Sequence, residues 1–192
     1  MTFDPAKVPG GDVAGWGERC RIDALAGVQT RDWRRTHDAT KSWVGWGGGA
    51  WIPDTWLLYA VSALLKGEPR NAVHALDLGI KTWLEGPTDQ ALLTWCRGMV
   101  VWRVLKDPKT ALIDLEHAAR FLPAWLGAPI DEVLQRCHND GSRSRKRRPS
   151  VEPRPAHAGS DSLRHVVAPA TLERRDGDRP AVWDHVAPHL LG

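Results

Sequence analysis

The residues from Thr55 to Leu84 lie on those from Thr94 to Pro123 without a gap, at a shift of 39 positions. Thr55 falls on Thr94, Trp56 on Trp95, Val61 on Val100, Pro69 on Pro108, Ala72 on Ala111 and Leu76 on Leu115. Chemistry is kept at Glu68 and Asp107, Arg70 and Lys109, Val73 and Leu112, Asp77 and Glu116, Lys81 and Arg120, and Leu65 and Val104. A cap, a proline and an inward face preserved together describe one structural unit used twice. Such units bury their apolar sides by stacking on neighbours. Each copy reads as a pair of antiparallel helices. In the second, "DPKTALIDLEHAARFLPAW" carries a cap at Asp107, a first-turn proline at Pro108 and a proline near its end at Pro123.

The punctuation extends on both sides. Asp54 caps "TWLLYAVSALLK", which stops at Gly67, Pro69 opens a helix that stops at Gly86, and Thr88 caps "DQALLTWCRGMVVWRVLK". Upstream, Asp12 caps a helix ending at Gly27, and Thr30 caps "RDWRRTHDATKSWV". Downstream, "PIDEVLQRC" fades by Asn139. The triple glycine of "GWGGGAWIP" has neither a preceding strand nor the GK[ST] ending of a phosphate loop, so it reads as a turn. The expected fold is all-α, with about seven helices and no strand. Two stacked helical hairpins of repeat type occupy 53–126, flanked by two N-terminal helices and a short C-terminal capping helix. The helical domain spans 12–138 and follows a flexible lead-in at 1–11. Residues 139–192 are rich in Pro, Ser and Arg and cannot bury enough surface to offset their ordering entropy, so they read as a mostly disordered, basic tail.

Of the 192 residues 42% are hydrophobic and 26% charged, values of an ordinary globular chain long enough for one core. Eleven of the fourteen aromatics are Trp, which points to large side chains filling that core. The net charge of +3 lies in the tail, because 12–138 carries fifteen basic and fifteen acidic residues. Cys20, Cys96 and Cys137 are odd in number and without a CxxC, which argues against a disulfide framework or zinc module and for a reducing, cytoplasmic setting. No apolar run has the length of a membrane span, and the first residues lack the pattern of a signal peptide.

The second unit resembles a tetratricopeptide repeat at Trp95, Trp102, Ala111, Leu115, Ala118 and Pro123. The first keeps Trp56, Ala60, Ala72 and Leu76 but has Ala63 where an aromatic is usual, Gly79 for the second Ala and Leu84 for Pro. The spacing is 39 residues, against about 34 in the family. The resemblance implies a peptide-binding concave face lined by first helices, here Leu57, Leu58, Val61, Leu64 and Leu65, then Cys96, Arg97, Val100, Arg103 and Val104. The carboxylate clamp of the family's chaperone-binding members is absent. So apolar a groove should not face water. Either the N-terminal helices with Trp16, Trp33, Trp43 and Trp46 fill it, or a partner's apolar helix does, and internal filling is the favoured expectation.

No catalytic constellation stands out. His37, Asp38 and Ser42 sit on one helix, unlike a hydrolase triad, and Cys137 with His138 has no second ligand pair. The expected function is therefore a non-catalytic helical scaffold or adaptor for protein–protein interaction, with no cofactor or metal. Its candidate partner-binding residues are Arg97 and Arg103 in the groove and Trp183 and Val186 in "PAVWDHVAPHLL". That segment serves equally as a docking motif or as a fold-back onto its own domain. The alternative is a small helical subunit of a ribonucleoprotein, which the helical small subunits of CRISPR effectors resemble in size and helicity alone. It would contact a nucleic-acid backbone through Arg31, Arg34 and Arg35 around Trp33 and through Arg143, Arg145, Lys146, Arg147 and Arg148.

Overall fold

The computed structural model describes residues 13–46, 48–82, 86–127, 129–144 and 175–191. The lead-in 1–11, the Asp12 cap, Leu84 and the basic residues Arg145, Lys146, Arg147 and Arg148 lie outside the described residues. Among the described residues there is no strand and there are eight α-helices: α1 Val13–Thr30, α2 Trp33–Trp46, α3 Pro53–Leu65, α4 Pro69–Thr82, α5 Pro87–Arg103, α6 Pro108–Ala119, α7 Ile130–Ser144 and α8 Trp183–Leu191. Each of the first six packs on the next, as antiparallel neighbours joined by short connections do. The segments matched by the 39-residue shift form α3–α4 and α5–α6.

Three of these connections close in one way. Arg31, Gly67 and Lys106 take the left-handed conformation, with φ of 55°, 81° and 59°. The amides after them, on Asp32, Glu68 and Asp107, reach back to the Gly27, Ala63 and Val101 carbonyls at 2.8, 2.8 and 3.1 Å. These bonds satisfy the otherwise unpaired carbonyls of a helix end. The first such turn moves an expected boundary. α1 runs through Gly27 to Thr30, and the cap of α2 is Asp32, whose carboxylate accepts the Arg35 N–H at 3.1 Å. Gly27 is instead a contact point, since a Cβ there would lie 2.4 Å from Thr36 Oγ1. At the third turn Asp107 does cap α6, accepting from Thr110 N at 3.3 Å.

Two apolar clusters fill the interior. The larger joins α1–α5 around Trp43, Trp56, Leu57, Leu58, Val61, Leu76, Leu92, Leu93, Cys96 and Val100. The smaller lies under α5, α6 and α7 and holds Trp95, Met99, Trp102, Ala111, Leu115, Ala118 and Cys137. All three cysteines are buried and free. The Cys137 Sγ–H donates to the Pro108 carbonyl, and burial with the nearby Asp140 charge pushes that thiol up to about 11.

Within 139–192 the end of α7 differs from its expectation, and "PAVWDHVAPHLL" takes the fold-back alternative. α7 continues past Asn139 to Ser144, and 175–191 forms a turn and a helix within the core. Four apolar side chains, at 182, 183, 186 and 190, make its one buried face.

Candidate functional site

α8 packs against α1, α3 and α5, alternate members of the array, and so lies in the groove that these helices line. Its inward residues Val182, Trp183, Val186 and Leu190 belong to the larger core and are at most 6% exposed, whereas Asp184, His185 and Pro188 face water. The groove is thus filled from within the chain, with the C-terminal helix as its occupant; Trp16 packs at the edge of the same core. Trp43 is buried between α2 and its neighbours, Trp33 is half-buried near the surface, and α1 and α2 extend the array as a further hairpin.

The leading end of α8 is fastened by polar contacts. Asp54, in the first turn of α3, accepts the Val182 N–H at 3.2 Å. Asp176 accepts the Thr88 and Asp89 amides at 3.1 and 2.9 Å, and so caps the N-terminus of α5 from a segment remote in sequence. Both carboxylates sit where exposed helix amides favour negative charge. The Trp125 indole N–H donates to the Gly177 carbonyl at 2.7 Å, and its ring meets the Trp183 ring edge to face at 5.4 Å between centroids. Arg179 and Asp184 pair within the segment. At the far end Leu191 lines a pocket of about 350 Å³ with Trp95, Met99, Arg103 and Trp183. His189 is held below its ordinary value first by burial and then by the charge of Arg31.

Two sequence-selected residues, Trp183 and Val186, are therefore brought together in the groove, in the fold-back arrangement. Arg97 is not, while Arg103 lines the pocket at the far end of α8. Arg97 turns to the second helices: its Nε and Nη2 donate to the two oxygens of Asp114 on α6 at 2.8 and 2.7 Å, and its Nη1 donates to Asp77 on α4 at 2.8 Å. Burial disfavours its charge, but the hydrogen bond and charge of Asp114 with those of Asp77 outweigh it and raise the guanidinium above its usual value. Arg97 is a tie across the hairpins. Arg103 stacks on the neighbouring Trp102 ring, 4.3 Å from its centroid, and its buried Nε finds no acceptor.

The basic patch on α2 is partly neutralised. Arg35 pairs with Asp23 at 2.6 Å, and Arg31 forms the left-handed turn after α1. Arg34 lies over the Trp33 ring at 5.4 Å and Lys66 over the same ring at 4.9 Å. Arg143 falls in the last turn of α7. His37 stacks on Tyr59, with 5.0 Å between ring centroids, away from any arrangement with Ser42.

Sequence reasoning missed Asp54 and Asp176 as anchors. The signal was present for the second, because "DGDRP" at 176–180 is a turn signature directly before an apolar helical face. Among the described residues no group of His, Cys, Asp or Glu could hold a metal ion, and no helix is long and apolar enough to cross a membrane. No protein-family model, no curated protein and no solved structure matches the chain.

Proposed function

We propose that this chain is a non-catalytic helical scaffold or adaptor that mediates protein–protein interaction in the cytoplasm, with α3–α4 and α5–α6 as divergent tetratricopeptide-like units. The observation that carries this reading is the groove of α1, α3 and α5, which holds an amphipathic helix on apolar anchors and carboxylate–amide bonds. Surfaces of this kind recognise helices by side chains at i, i+3 and i+7. Crosslinking and affinity capture of the full-length chain test it. A protein crosslinked to α3, α5 or α8 is expected. Recovery of no protein, alongside turnover by the purified chain, overturns it.

The ribonucleoprotein reading keeps one structural support, the Trp33 ring flanked by Arg34 and Lys66. Its test is salt: nucleic-acid affinity should fall steeply between low and physiological ionic strength and drop when Arg143 to Arg148 are neutralised. Absence of binding at low salt removes it.

A further inference from the structure

α8 is built unlike the helices it covers. It has nine residues, and Pro188 stands in its interior. A helix of that length does not persist alone in water, and the proline removes one of its few backbone hydrogen bonds. Its helicity therefore depends on the groove that receives it. Thirty-eight residues, 145–182, separate it from α7 in sequence, and its place in the groove is held by the contacts of 175–191. An emptied groove, however, would set the apolar side chains of α3 and α5 against water. Whatever displaces α8 must cover the same strip.

We propose that α8 is the resident occupant of a helix-recognition groove, and that a partner's amphipathic helix with the same apolar spacing and no interior proline takes its place. This rests on the scaffold reading and specifies the partner's chemistry. The groove selects an aromatic residue followed by branched apolar residues three and seven positions on, as at Trp183, Val186 and Leu190. It also selects a carboxylate in the preceding turn to cap α5, as Asp176 does. The partner's gain is an unbroken helix; α8 has the advantage of its covalent tether. Exchange, not opening, is the consequence.

The probe is a fluorescent peptide of residues 175–191 carrying Pro188→Ala, titrated into the full-length chain by anisotropy. Saturable binding is expected. A full-length Val186→Asp chain, whose own α8 cannot seat, should bind the probe at least about tenfold tighter, since the competitor is gone. A probe that itself carries Val186→Asp should bind neither chain. Equal affinity for the two chains, or no binding to a Val186→Asp chain that keeps its helical spectrum and cooperative melt, overturns the proposal. If Val186→Asp loses that melt, Asp176→Ala replaces it, because this exposed residue contributes only the leading anchor. A gain of about threefold is then expected, and an unchanged affinity overturns the proposal. A protein captured by the wild-type chain and not displaced by the probe sinks the exchange and leaves the scaffold reading standing.

Discussion

The two hairpins differ most where the 39-residue shift would have them agree. Leu58 falls on Arg97 and Ala75 on Asp114. In the first hairpin both positions are buried in the apolar core. In the second they form a two-pronged ion pair that also takes in Asp77 from the hairpin before. Matched backbones therefore settle one contact in two ways, by packing or by paired charge. Both partners differ together, because a single charge left in such a place is far more costly than either solution. Smaller differences follow the same logic. Gly79 stands where Ala118 does, since a Cβ there would lie 2.6 Å from the Trp56 ring. Gly67 stands where Lys106 does, in the same left-handed turn.

The largest effect should come from forcing the charged solution on the apolar hairpin. Leu58→Arg places a guanidinium in a fully buried site and should cost more than about 4 kcal/mol, seen as loss of the cooperative thermal transition. A melt like that of the parent chain would break the equivalence of the two sites. The converse change is milder. Arg97→Leu orphans Asp114, while Asp77 keeps Lys81 at 2.6 Å, and the partial exposure of the site holds the loss to about 1–3 kcal/mol. Adding Asp114→Ala should return most of it in a urea-unfolding cycle. A double variant no better than the single one would show that the pair is not the unit of substitution.

Gly79→Ala should cost about 1–2 kcal/mol by overpacking against Trp56, whereas Ala118→Gly should cost about 1 kcal/mol by loss of helix propensity; denaturant midpoints compare them. At the turns, Gly67→Lys should lose about 1 kcal/mol and Lys106→Gly should be neutral or gain up to that amount, read from melting temperatures. The smallest effect concerns the α8 end. His189 is held below its ordinary value by burial and by Arg31, so the unfolded or released form binds more protons than the seated one. The stability of docking is then complete above about pH 6.5 and declines as pH falls through the seated value. The protection of α8 amides, taken relative to their intrinsic exchange rates, should fall on acidification across that window, and His189→Gln should flatten the dependence.

Legibility followed the range of the interactions. Asp107, Pro108 and the apolar spacing of α6 act within a turn or two, so its start was readable from residues in sequence. The α1–α2 boundary was misplaced because Gly27 looked like a stop and is in fact an approach point for Thr36, twelve positions from the carbonyl that Thr36 bonds. Arg97 could be read only as a groove-lining residue of the first helix. Its partners, 17 and 20 positions away, could not be named, because nothing local distinguishes Asp77 and Asp114 from other acids on helix surfaces.

By itself the chain of residues determined the helices and their hairpin pairing, since prolines, glycines and 3.6-residue periodicity are short-range and repeat every few positions; the groove was an expectation of the resemblance. Only the tertiary structure decided what fills that groove and where Arg97 points. Trp183 and Val186 carry no mark of their destination. They reach α3 and α5 because a strip of buried leucines and valines must be covered by something, and the nearest fitting surface is the chain's own last helix.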